Sequence, residues 1–182
     1  MRRPYLALSL AALALPALAA CGSSGGGIPA NATSCAPVTE ATNPAASVAV
    51  PFPAVTGLPD NPKIAKPKGS APTALQIKDL KVGAGCPVTA TDTITANYTG
   101  VTWSTGETFD STYDAAFGHK TPAQFPLSGV IPGWQQGIPG MKVGGTRELV
   151  IPAALAYGPS GSPPKIGPNE SLVFVVTLVS VP

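Results

Sequence analysis

The sequence predicts an α+β fold, a twisted antiparallel β-sheet wrapped around one short α-helix. Three observations predict it. From residue 74 onward, short apolar runs with a period of two are separated by Gly, Pro, Asn and Asp, the pattern of half-buried strands joined by turns. One run, "SLVFVVTLVSV" at 171–181, is apolar at both parities, as a strand covered on both faces must be. A single segment, 132–138, carries helix start and stop signals: Pro132 suits a first-turn position, and Gly137 with Pro139 ends the run.

The elements follow in order. Residues 1–20 are not part of the fold. Arg2 and Arg3 precede an apolar run from Leu6 to Leu18 that ends in small residues, the layout of a secretory signal. The run is short for a membrane span and contains Pro16. "LAAC" at 18–21 resembles a bacterial lipobox, which makes Cys21 the expected first mature residue and lipidation site. "GSSGGG" at 22–27 then supplies a flexible tether. The expected location is the cell membrane, lipid-anchored and extracytoplasmic. Without Arg2 and Arg3, the 11 basic residues become 9, matching the 9 acidic ones. A neutral mature chain has no basic field to attract nucleic acid.

Residues 21–73 read as a Gly/Pro-rich tether and linker. "VAVPFPAVTGLP" at 48–59 alternates, but Pro51, Pro53 and Pro59 argue against a central strand. Its apolar positions leave open some packing on the domain. "NPKIAKPKGSAP" at 61–72 reads as extended linker. Cys35 and Cys86 form an even pair in an exported chain, which reads as a disulfide. Closing the 51 residues between positions 35 and 86 would contribute roughly 4 kcal/mol on the chain-entropy model.

The domain spans 74–182. "ALQIKDLKVG" alternates at Leu75 and Ile77, then at Leu80 and Val82, a strand with a bulge near Asp79. "TITANYTGVTW" puts Ile94, Ala96 and Tyr98 on one face. "STGETFDS" gives a turn at Thr105–Gly106 and a short strand to Phe109, and "QFPLS" a further short strand. "GGTRELVIP" puts Leu149 and Ile151 on one side. In the last run Leu172, Phe174, Val176 and Leu178 share a face.

The stretch "VIPGWQQGIPGMKVGG" at 130–145 sets one large aromatic among glycines, yet it holds no acid, base or nucleophile. With "NYTG", "FDST", "ELVIPAALAYG" and "SLVFVVTLV" in this order and spacing, it resembles the FKBP-type peptidyl-prolyl cis/trans isomerases over residues 74–182. The resemblance implies the same fold and a pocket between helix and sheet. It implies catalytic roles for Asp110, Tyr157 and the backbone N–H of Ile131. It implies substrate contacts for Tyr98, Phe109, Phe125, Val130, Trp134, Ile166 and Phe174. The implied partners are proline-containing polypeptides and ligands of the tacrolimus and rapamycin type, and the implied activity is prolyl isomerisation that helps exported proteins fold. No cofactor is implied, and without a Cys/His cluster a metal site has nothing to be built from.

Some positions depart from the family pattern. Ala123 stands where members often have an aromatic two residues before Phe125. Ser162 stands where some have an aromatic or His. Many carry an Arg a few residues after the Asp, but none occurs from Ser111 to Ser128, so the sequence offers Asp110 no arginine. His119 is the only histidine and lies in a polar insertion. It reads as solvated and outside the pocket, a placement that implies turnover nearly flat from about pH 5.5 to 8.5. The alternative function is a non-catalytic module that holds a proline-containing peptide or another partner in the same pocket.

Overall fold

The structure is a computed structural model that describes residues 50–119 and 121–182, all within a compact unit running from Ser34 to Pro182. The expected signal, Cys21, the tether and Cys35 lie outside the described residues. Ten strands and one α-helix follow in chain order: β1 (Val55–Thr56), β2 (Lys63–Ile64), β3 (Gln76–Lys81), β4 (Ala84–Pro87), β5 (Thr93–Thr102), β6 (Thr108–Ser111), β7 (Ala123–Pro126), α1 (Pro132–Gly137), β8 (Lys142–Val143), β9 (Thr146–Ile151) and β10 (Leu172–Ser180). Among the described residues no helix is long and apolar enough to cross a membrane.

The main sheet has six strands in the order β3-β9-β10-β5-β6, with β7 also paired to β5, and every pairing is antiparallel. The long β5 takes β10 on one side. On the other it takes β7 along Thr93–Ala96 and β6 along Thr99–Val101. The register of β3 on β9 shifts between Asp79 and Lys81, at the expected bulge. The strand then ends, so Val82, expected to point inward with Leu80, is instead 73% exposed. β1 with β2, and β4 with β8, form two further antiparallel two-stranded pairs.

The central run is apolar at both parities because it serves two cores. Leu172, Phe174, Val176 and Leu178 face α1 together with Ile94, Ala96, Tyr98, Leu149 and Ile151. Val173, on the opposite face, joins Val50, Val101, Trp103 and Val150. Helix α1 lies close on β9 because its contact positions carry no side chain. A Cβ on Gly137 would come within 2.7 Å of Leu149 Cδ2, and one on Gly133 within 2.8 Å of Ile151 Cδ1. Arg147, on β9, secures the far end of the helix. It donates Nη1 to the carbonyls of Gly137 (2.7 Å) and Pro139 (3.3 Å) while Nε and Nη2 grip Asp79 at 2.7 and 3.0 Å. A cation at a helix C-terminus also satisfies orphan carbonyls.

Residues 61–72, expected to be extended linker, instead lie against the outer face of the sheet. Ile64 packs with Phe52 onto the second core, and Pro62, Pro67 and Pro72 are buried. The apolar positions of 50–64 have a surface to cover, since Val101, Val150 and Val173 would otherwise face water. Polar ties hold the segment: Ala65 N–H to Ala54 O (2.8 Å), Tyr113 Oη to Pro59 O (3.2 Å), and Trp103 Nε1 to Gly69 O (3.4 Å). The buried Gln76 amide, oriented so that donors meet acceptors, clasps the Val50 backbone at 3.0 and 2.9 Å.

On the same face Glu148 is fully buried, and neither carboxylate oxygen has a hydrogen-bond partner among the described residues. Lys78 Nζ approaches to 3.9 Å. Burial pushes the Glu148 carboxyl up to about 7, against a smaller opposing pull from Lys78. Cys86, on β4, is disulfide-bonded; its two candidate partners, Cys21 and Cys35, lie outside the described residues.

Candidate active site

The concave face of the sheet and α1 enclose a cavity of about 300 Å3 lined by Tyr98, Phe109, Asp110, Phe125, Gly129, Val130, Ile131, Trp134, Tyr157 and Phe174. Trp134 forms its floor. The indole meets Tyr98, Phe125 and Phe174 edge-on, with ring centroids 5.5, 5.5 and 5.3 Å away. Phe109 meets Phe174 in the same way at 5.4 Å. Such pairs place ring edges against faces and fix each ring by its neighbours.

Gly100 makes this wall possible. A Cβ there would stand 2.6 Å from Phe109 Cζ and 2.8 Å from Phe174 Cε1. The "NYTG" run of β5 therefore supplies both a wall residue, Tyr98, and the gap beside it that two rings fill.

Polar groups gather at the rim. The Tyr98 hydroxyl donates to Asp110 Oδ2 at 2.5 Å. Asp110 Oδ1 accepts from the Ser111 N–H at 3.0 Å. Burial, then the hydrogen bond to Asp110 and its charge, pushes the Tyr98 hydroxyl far above the usual phenol range, so it stays a donor. Tyr157 is 40% exposed, and burial followed by the Asp110 charge raises its hydroxyl in the same direction. Gln135 Nε2 donates to Val130 O at 2.8 Å and ties the loop entering α1. Ile131 accepts from the N–H groups of Trp134 and Gln135, while its own N–H has no acceptor among the described residues.

Ile166, expected in this cavity, is buried in the core and lines an adjoining cavity of about 310 Å3 that shares Phe109, Asp110 and Tyr157. Ser162 lines that second cavity, where its backbone pairs with Ile166. Ala123 stands two residues before Phe125 on β7, so the same strand face carries a methyl group where an aromatic was expected.

His119 requires a correction. It is not outside the site. Its Nε2 lies 3.2 Å from Asp110 Oδ1 and 3.5 Å from the Tyr98 hydroxyl, and its ring stands edge-on to Tyr98 at 6.1 Å. Asp114 caps the turn Ala115–Phe117, and Gly118 follows with φ +87°, which brings the chain back toward Asp110. A single polar residue in a loop gives no periodic signal for such a return.

A larger cavity of about 400 Å3 lies beside β3, at its end near β8, but the Arg147 and Asp79 in its lining are already paired to each other.

The FKBP-type peptidyl-prolyl cis-trans isomerase family model matches residues 86–179, more than half of the chain, and includes every residue of the aromatic cavity. The chain belongs to the FKBP family. It is 46% identical over 121 residues to the probable FK506-binding protein of Corynebacterium glutamicum, covering 66% of this chain and 98% of that one. To the FK506-binding protein of Streptomyces anulatus it is 48% identical over 125 residues, covering 67% and 98%. The crystal structure of FkpA from Escherichia coli superposes with a TM-score of 0.53 at 42% identity, over 60% of this chain and 48% of that one. The FKBP fold and prolyl isomerase activity follow from this membership. The outer-face segment 50–73 precedes the residues that the family model matches.

Proposed function

We propose that this FKBP isomerises prolyl bonds of exported polypeptides at the outer face of the cell membrane, using the aromatic cavity. The observation that carries this reading is the cavity itself: an apolar floor at Trp134, with the Ile131 N–H and the Tyr157 hydroxyl at its edge, neither with a hydrogen-bond partner among the described residues. The barrier of about 18–20 kcal/mol to rotation comes from lost amide resonance. The twisted amide has a less polar carbonyl than the planar one, so an apolar cavity binds it in preference to the ground state. No bond to hydrogen needs to break.

In this reading the prolyl ring sits on Trp134. The Ile131 N–H and Tyr157 hydroxyl hold substrate carbonyls. Asp110, fixed by Tyr98, orients the twisting carbonyl electrostatically. The relatives' FK506-binding names make FK506 the natural competitor. The outer-face location rests on the signal-like residues 1–20 and the lipobox at Cys21. A sulfur occupied by lipid at Cys21 leaves Cys35 as the partner of Cys86.

A protease-coupled assay on an Xaa-Pro peptide tests the reading. Turnover well above the spontaneous rate, competed by FK506, is expected. Peptide binding without turnover would favour the non-catalytic module and overturn the proposal.

A further inference from the structure

The Asp110 carboxylate is held at both oxygens. Oδ2 accepts from the Tyr98 hydroxyl, and Oδ1 takes the Ser111 N–H and His119 Nε2. Among the described residues His119 is the only cationic side chain within ion-pair reach of Asp110. The nearest lysine of the adjoining loop, Lys165, is engaged elsewhere, with Nζ 5.0 Å from the Phe117 ring centre. The groups facing His119 are Asp110 from β6 and Tyr98 from β5, with Tyr157 beyond Asp110. Both tyrosine hydroxyls are pushed upward, so neither changes charge near neutrality.

The acceptor of the His119–Asp110 contact is a carboxylate, so a proton on Nε2 makes a charge-assisted hydrogen bond, about twice as strong as a neutral one. The side chains of His119 and Asp110 are each 29% exposed, so the carboxylate depends on such partners for its orientation.

We infer that His119 is a positioning residue for prolyl isomerisation: together with the Tyr98 hydroxyl and the Ser111 N–H it holds the Asp110 carboxylate in one orientation at the cavity rim, and without it that carboxylate turns more freely and turnover falls. The inference rests on the reading that Asp110 faces the reacting carbonyl. His119 gives no proton to the substrate. It sets the geometry of the group that does the electrostatic work.

The test is kcat and KM on an Xaa-Pro peptide, with thermal melts, for the full chain and its His119→Ala, His119→Arg and Asp110→Asn variants. His119→Ala should lose up to about fivefold in kcat with KM little changed, equivalent to about 1 kcal/mol at 1.36 kcal/mol per tenfold. His119→Arg, which keeps a donor beside Asp110, should restore the wild-type value. The solvent deuterium effect should stay near one throughout, which separates positioning from proton transfer. A loss in His119→Ala that His119→Arg does not restore would overturn the inference. So would a His119→Ala variant that tracks the wild type while Asp110→Asn loses turnover. If Asp110→Asn keeps full turnover, the reading of the site itself fails, and the role of His119 fails with it.

Discussion

The Tyr98 hydroxyl donates to Asp110 Oδ2 at 2.5 Å from a strand directly beside that of its partner, and no backbone movement is needed to join them. Because the acceptor is charged, the bond belongs to the stronger class, at about 1.5–3 kcal/mol. It orders a carboxylate that would otherwise rotate at the rim.

Tyr98→Phe and Asp110→Asn should therefore each lower kcat/KM, and the double variant should lose less than the two single losses combined. The coupling expected from a charged hydrogen bond is about 1.5–3 kcal/mol. A double-mutant cycle on peptide turnover measures it, and strict additivity would mean that the two side chains act independently.

Tyr157→Phe should lower turnover without loss of stability. The ring is partly exposed, and its hydroxyl makes no hydrogen bond among the described residues. Loss of one neutral hydrogen bond to substrate, about 0.5–1.5 kcal/mol, corresponds to about two- to tenfold in rate. Thermal melts alongside the rate assay separate this from unfolding, and an unchanged rate would remove the hydroxyl from the mechanism.

Glu148 makes stability depend on pH in an unusual direction. Its carboxyl is raised in the folded chain from 4.5 to about 7. A raised folded value means that the fold favours the protonated form. The contribution is complete below the unfolded value near 4.5 and is lost as pH climbs to about 7. At about 1.4 kcal/mol per unit the loss is on the order of 3–4 kcal/mol. Glu148→Gln, which cannot ionise, should be more stable than wild type at pH 8 and should flatten the slope between pH 4.5 and 7 in urea titrations. Parallel slopes in the two proteins would show that Glu148 is not the source.

Cys21→Ala should shift the protein from the membrane to the soluble fraction, because a doubly acylated anchor holds where a single chain does not. Equal retention in the membrane fraction would end the lipidation proposal. Non-reducing peptide mapping of the wild type should find Cys35 and Cys86 in one cross-linked product.

Much of the fold was legible because it depends on periodicity. Leu172, Phe174, Val176 and Leu178 are spaced two apart, and the sheet buries all four on one side. Pro132 and Gly137 mark the ends of α1, and the bulge near Asp79 falls where the alternation slips. The cavity was legible through motif order, since Tyr98, Phe109 and Phe174 come from strands whose register the alternation fixes.

What was hidden depends on encounters across the chain. Prolines at 62, 67 and 72 forbid central strands but do not forbid burial, and they pack on the outer face. Gln76 and Glu148 look like ordinary solvent-side polar residues until Val50 and its neighbours cover them. His119 reaches Asp110 only through the turn at Gly118. Ile166 lines the cavity that adjoins the aromatic one and shares Phe109, Asp110 and Tyr157 with it.

Strand β10 follows every other strand in the chain and yet lies between β9 and β5, in the middle of the sheet. A chain that emerges N-terminus first thus carries β5, β6 and β7 on one side and β3 and β9 on the other, with nothing between them. Each half presents an unpaired edge, the kind of template that recruits foreign strands. Pairing residues 172–180 with both edges closes them in one late, long-range step, the slow kind of contact to make. Until that strand is in place, both halves of the sheet keep an open edge, so the order of synthesis leaves the centre of this fold to be completed last.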